Sequence, residues 1–193
     1  DAIAALLRPF EHVIVENHPR LTDARVLEFR KRLSGTLEVA LGLETVHPEL
    51  LARLNKAMTV ADFERAASFL VDHNVAVRAF VILRLPGMSE AEGIDWALRS
   101  IETAFDAGAS CVSVIPGRSG PGVMTGWSDQ GLFTPPLLES LHTVMATAQG
   151  WQRGRVFGDL WDALKRGTCP ECTLTQIATL SRMNHLQRPE PWP

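Results

Sequence analysis

The sequence predicts an α/β fold in which parallel strands alternate with helices, and three observations carry that expectation. Short runs rich in Val, Ile and Leu recur from residue 12 onward, helical patterns with recognisable caps lie between them, and two of the strands carry small or charged residues on one face only. Helical spacers of this length imply right-handed crossovers between parallel strands, in an open doubly wound sheet or a barrel.

The strands are expected at His12 to Glu16, Leu37 to Leu43, Val77 to Leu85 and Cys111 to Ile115. Thr59-Val60-Ala61-Asp62 and Ser89-Glu90-Ala91-Glu92 each place an N-cap hydroxyl three residues before an acid, the spacing of a capping box. Val60, Phe63, Ala67 and Leu70 then form one apolar stripe, and Ile94, Ala97, Leu98, Ile101 and Phe105 another, with Gly108 stopping the second helix. Thr134-Pro135 is expected to start a further helix and Gly150 to end it. Beyond it, Val156 to Lys165 and Thr173 to Leu186 read as two outer helices and Arg188 to Pro193 as a tail. Residues 1–150 are thus the expected barrel part, and 151–193 a helical extension containing a Cys-x2-Cys.

Alternation within the strands separates two faces. Leu37, Val39, Leu41 and Leu43 share one, and Glu38, Ala40, Gly42 and Glu44 the other; in the next strand Arg78, Phe80, Ile82 and Arg84 oppose Ala79, Val81, Leu83 and Leu85. A parallel strand covered by helices on both sides is apolar on both faces, so the polar face is expected to look into a lumen or cleft. His12, Ile14, Glu16 and Ser113 fit the same set. Glu16, Glu44 and Arg84 then gather near the C-terminal ends of neighbouring strands, where barrel enzymes keep their sites.

At 193 residues the chain suffices for one domain with a real core. The net charge of -3 offers no global attraction for nucleic acid or anionic membranes. No apolar run approaches the ~18 residues of a membrane helix and no signal-peptide pattern opens the chain, so a cytoplasmic location is the default expectation. Three cysteines, an odd number without a secretory signal, argue against a disulfide framework. The first residue is Asp1 rather than methionine, so the expectation is a piece of a longer protein.

Four motifs carry chemistry. Ile82 to Glu90 reads as a strand, a Pro86-Gly87 turn and a capped helix; an ordinary βα loop is the plain reading, but Arg84 on an inward face needs a partner or an anionic ligand. Ile115-Pro116-Gly117-Arg118-Ser119-Gly120-Pro121-Gly122 is a glycine-rich turn whose backbone N–H groups and Arg118 suit an anion, although the lysine and hydroxyl of a phosphate loop are missing. Cys169 and Cys172 have metal-ligand spacing, with His185 as a third candidate and Cys111 a distant fourth; zinc binding and inert thiols are evenly balanced readings. Lys56, just before a helix cap, is either solvated or joins the helix N-terminus in holding a carboxylate. His12 and His73 read as structural or exposed.

The stretches VIVENHP, VALGLETVHPELLARLNKAMT, VRAFVILRLPGMSEAE and VSVIPGRSGPG, in this order and spacing, resemble the third to sixth strand units of a radical S-adenosylmethionine (SAM) enzyme. The resemblance is closest to the group containing the elongator catalytic subunit and the archaeosine-synthase radical SAM subunit. VFGDLWDALKRGTCPECTLTQIATLSRMNHLQ is similar to the C-terminal segment of the latter's uncharacterised bacterial relatives. It implies a radical SAM-type partial TIM barrel, (β/α)6, in which a 4Fe-4S cluster reductively cleaves SAM to a 5'-deoxyadenosyl radical. By position it implies that Glu44 contacts the polar portion of SAM, Lys56 meets its carboxylate, Ile82 to Pro86 line the adenine, Arg118 closes the pocket, and Glu16 faces the lumen beside them. The cluster motif Cys-x3-Cys-x2-Cys and the glycine-rich SAM strand are not in the 193 residues. A C-terminal portion of a longer enzyme is the favoured explanation and lost chemistry the other. Such a portion leaves strand edges open to self-association. An RNA substrate follows from family analogy alone. Two further readings compete: a barrel lyase or isomerase with Glu44 as base and a phosphate at the Arg118 loop, and a non-catalytic zinc-stabilised module.

Overall fold

The computed structural model describes residues 2–118, 126, 129–167 and 169–193. Its strands, β1 (His12–Asn17), β2 (Thr36–Glu44), β3 (Ala76–Leu83), β4 (Cys111–Pro116) and β5 (Arg155–Gly158), form one parallel sheet in the order β1-β2-β3-β4-β5. A doubly wound sheet reverses its strand order at a switch point. Here every strand lies beside its successor, as in the wall of a barrel, and the fold is a partial barrel of parallel strands alternating with helices, with extra C-terminal helices. Among the described residues β1 and β5 are the two edges.

The helices are α1 (Ala2–Leu7), α2 (Ala24–Arg30), α3 (Pro48–Arg53), α4 (Val60–Asp72), α5 (Glu90–Asp106), α6 (Leu138–Gly150) and α7 (Pro170–Leu186), with 3-10 turns at Pro19–Leu21 and Ala163–Arg166. α4 packs on β2 and β3, α5 on β2, β3 and β4, and α6 on β4 and β5, while α7 covers β5 and α6. They bury one face of the sheet, where Val39, Leu41, Val77, Val81, Val114 and Val156 have no exposed surface. Both capping boxes form: Asp62 N–H donates to Thr59 Oγ1 at 3.2 Å, and Glu92 N–H to Ser89 Oγ at 3.2 Å. Hydrogen bonds from Arg65 and Thr59 hold the Asp62 carboxyl at about 2. No helix among the described residues is long and apolar enough to cross a membrane.

The opposite face is the expected polar one. The strand register aligns Glu16 with Ala40, Ala40 with Arg78, Phe80 with Ser113, and Ser113 with Phe157. At its N-terminal end this face is closed by Glu38, which has no exposed surface. Its carboxylate accepts from Arg78 Nε at 2.5 Å and Arg155 at 2.8 Å, and lies 3.5 Å from His12 Nε2. Arg78 also donates to Ser113 Oγ at 3.1 Å and stands 5.3 Å from the Phe157 ring centroid. Burial pushes the Glu38 carboxyl up, but the bond and charge of Arg78, then Arg155, outweigh it and leave the carboxyl below its ordinary range.

Three expectations are corrected. Val156 to Lys165 is not a helix: Val156 pairs with Val112, β5 extends the sheet, and only Ala163–Arg166 coils, as a 3-10 turn. The sheet therefore runs past residue 150, so 151–193 is not a purely helical extension. α6 begins at Leu138 rather than at Thr134-Pro135, because Pro136 holds the residue before it out of the helical region. β3 ends at Leu83, two residues before the expected limit.

Candidate functional site

β2 leaves the sheet through Leu43-Glu44-Thr45. Thr45 N–H donates to Leu43 O at 2.8 Å, and Glu44 takes a φ of 65°, a tight turn that costs a residue with a side chain about 1–3 kcal/mol. The register with β3 slips at the same point, Gly42 standing opposite Phe80 but Glu44 opposite Val81. The turn folds the carboxylate back over the strand, and a Cβ at Gly42 would lie 2.6 Å from Glu44 Oε1. Glu44 occupies space that only glycine leaves open.

Lys56 reaches this carboxylate from the loop after α3, with Nζ 3.0 Å from Oε1. Its neighbours Asn55 (φ 52°) and Ala57 (φ 51°) are both left-handed, which turns the loop toward the cleft. The exit of β1 clamps it: His18 Nε2 donates to Lys56 O at 2.8 Å, and Arg20 donates to Ala57 O at 2.9 Å. Arg20 N–H also donates to His18 Nδ1 at 3.2 Å, so both ring nitrogens are engaged. Only its place directly after β1 marked His18 in the sequence, and Arg20 gave no signal.

A cleft of about 400 Å³ results, lined by Glu16, His18, Ala40, Gly42, Glu44, Lys56, Met58 and Phe80. Ala40 and Gly42 form a small-residue floor that lets a ligand approach the sheet, and Phe80 and Met58 are apolar surfaces. Glu44 is 11% exposed at its side chain against 49% for Lys56. Two carboxylates face one ammonium, leaving one negative charge in excess.

Of the residues singled out from the sequence, the structure brings Glu16, Glu44 and Lys56 together. Ile82 lies on the same sheet face beside Ile115, and Pro86 is half-buried in the turn after β3, outside the cleft lining. Arg84 does not point inward. With a φ of 62° it turns toward α5, where its Cβ would lie 2.8 Å from a Cβ at Gly93. Its guanidinium donates to Met88 O at 3.1 Å and to Glu90, which also accepts from Ser140 Oγ. Arg118 is taken up by Asp159 and, at 3.5 Å, by Asp162 across the exits of β4 and β5. The rest of its glycine-rich loop, Ser119 to Gly122, lies outside the described residues, and so does most of the proposed phosphate turn.

The expected ligand set Cys169, Cys172 and His185 does not come together. Cys172 and His185 sit near opposite ends of α7, thirteen residues apart, about 20 Å along a helix rising 1.5 Å per residue. They cannot share an ion with Cys169, and no metal-ligating cluster occurs among the described residues. Nor do the cysteines fit an iron–sulfur cluster beside the cleft. Cys111 is fully buried at the N-terminal end of β4, its thiol pushed by burial up to about 11, and the other two lie on the far side of β5 in sequence.

No protein-family profile matches the chain. An uncharacterized protein of Methanocaldococcus jannaschii is 25% identical over 138 residues, covering 70% of this chain and 38% of that protein. Archaeosine synthase subunit beta of Methanosarcina acetivorans is 28% identical over 141 residues, covering 71% and 40% respectively. Among solved structures, Elp3 of Methanocaldococcus infernus, with its N-terminus deleted, matches with a TM-score of 0.64 at 18% identity, covering 88% of this chain and 41% of that one. The chain shares the fold of that structure and spans about two fifths of the length of the curated relatives it matches. The resemblance to Elp3 and to archaeosine synthase that the sequence suggests is thus met in both comparisons.

Proposed function

We propose that this chain forms the part of a radical SAM enzyme's barrel that holds the aminoacyl end of SAM. The single observation that supports this most is the Glu44 and Lys56 pair, 3.0 Å apart over the bare Gly42 floor. An amino-acid zwitterion replaces such a pair by exchange: its carboxylate takes the Lys56 ammonium, and its amino group takes the Glu44 carboxylate. Both protein charges stay compensated throughout, so no charge is left unpaired on desolvation. The excess carboxylate, Glu16, favours a ligand with one positive charge beyond the zwitterion, which the sulfonium of SAM provides. When bound and reduced at a cluster, SAM is the source of a carbon radical. The share of these residues is to bind and orient. The substrate is not read from the cleft, and an RNA substrate rests on analogy with the archaeosine synthase relative.

The test is calorimetric titration of the protein with SAM. Binding should weaken at least about tenfold, ~1.4 kcal/mol, in Lys56→Ala and in Glu44→Gln while circular dichroism stays unchanged. S-Adenosylhomocysteine, which lacks the sulfonium charge, should bind more weakly than SAM. SAM affinity indifferent to both substitutions would overturn the reading. Phosphate or sulfate binding without SAM affinity would favour the lyase alternative.

A further inference from the structure

With His185 held away from it, the Cys169-Pro170-Glu171-Cys172 segment has no third ligand among the described residues and no place in the cleft lining, yet its geometry is ordered. Cys169 is the N-cap of the 17-residue helix α7, and its Sγ accepts the backbone N–H of Cys172 at 3.4 Å. The first turn is held in place: Thr173, almost fully buried, donates its N–H at 2.8 Å and its hydroxyl at 2.5 Å to Cys169 O. Pro170 at the first helical position gives the turn its φ without losing a hydrogen bond. Gly167 packs against Thr173 with no room for a side chain. The cap geometry brings the two residues together: Cys169 Sγ is 3.4 Å from the Cys172 backbone N and also accepts a hydrogen bond from the Cys172 thiol. Cys172 is exposed and Cys169 half-buried, so solutes reach this pair, whereas Cys111 is sealed in the core.

We propose that Cys169 and Cys172 are a redox-active dithiol, with Cys169 as the attacking thiol and Cys172 as the resolving one, and that it exchanges with small-molecule disulfides. The Cys169 thiolate attacks one sulfur of R–S–S–R. That bond breaks, and the first R–S⁻ leaves with the electron pair. Cys172 then gives its proton to solvent, attacks Cys169 Sγ in the mixed disulfide and expels the second R–S⁻. The two cysteines lose two electrons and the external disulfide gains them, forming two thiols. The polarity of the pair suits these roles. Hydrogen bonds from the Cys172 thiol and backbone hold Cys169 below the ordinary thiol range, and the thiol that donates that bond, Cys172, is raised.

The test uses the folded protein, oxidised glutathione and mass spectrometry of the tryptic peptide containing both residues. The wild type should form the Cys169 to Cys172 disulfide, reversed by dithiothreitol. Cys172→Ser should instead trap one glutathione on Cys169, and Cys169→Ser should accumulate adduct at least about tenfold more slowly at pH 7. Cys111 should stay unmodified until urea is added. Equal adduct rates on the two single variants, or no internal disulfide in the wild type, would overturn the proposal. So would stoichiometric zinc, measured on the purified protein, that blocks alkylation of both thiols.

Discussion

At the N-terminal end of the sheet Glu38 lies without exposed surface among Arg78, Arg155 and His12, whereas at the C-terminal end Glu44 shares a single Lys56 across an open cleft. Both acids belong to β2 and both serve the same polar face. They differ in where their partners come from. Arg78 and Arg155 stand on strands in one row with Ala40 and Cys111, two residues on from Glu38 along β2, and both reach back to its carboxylate, so the network is closed and satisfied. Lys56 arrives on a loop shaped by two left-handed residues and clamped by the exit of β1, and the pair it makes can be opened by a ligand. One end of the polar face is closed by ion pairs, and the other remains an open cleft.

The comparison is most exposed to the loss of the two acids. Glu38→Ala leaves Arg78, largely buried, without its carboxylate and should cost about 3 kcal/mol in urea unfolding. Glu44→Ala should cost less than about 1 kcal/mol, since its partner is half exposed and the left-handed turn is strained alike with either side chain. Equal costs would break the distinction.

Acid titration should sharpen it. The folded-state carboxyl of Glu38 lies below its ordinary 4.5, so its contribution to stability is present above that value and is lost as pH falls through the folded one. The wild type should therefore lose stability steeply below about pH 4.5, and Glu38→Gln should flatten that limb. Denaturation midpoints measured across this range decide it.

The smallest expected effect on stability is that of Gly42→Ala. The added methyl meets only the mobile end of Glu44, so unfolding should shift by less than about 1 kcal/mol. SAM affinity should nonetheless fall severalfold, because the carboxylate is pushed off Lys56. Unchanged affinity would show that the position of Glu44 over Gly42 is incidental.

Much of the fold was legible because its signals are local. Alternation in β2 and β3 separates the helix-covered face from the polar one, and the hydroxyl and acid spacing at Thr59 and Ser89 marks two helix starts that form as expected. β5 was missed because Val156, Phe157, Leu160 and Ala163 have nearly helical spacing, and only pairing with β4 makes Arg155 to Gly158 a strand. Alternation also misplaced Arg84. It assumes that the strand continues, whereas the backbone turns left-handed one residue after Leu83 and sends the guanidinium to Glu90.

The sequence by itself determined the alternation of strands and helices, the face on which acids and small residues collect, and the grouping of Glu16 and Glu44 near strand ends, because each depends on neighbours two to four residues away. Only the tertiary structure decided that Lys56 meets Glu44 and that Glu38 is bound by three strands. It also decided that Cys172 and His185 are held apart by the length of a helix. These depend on strand register, on loop backbone signs and on a rigid rise per residue, which bring together or separate residues that chain order leaves unrelated.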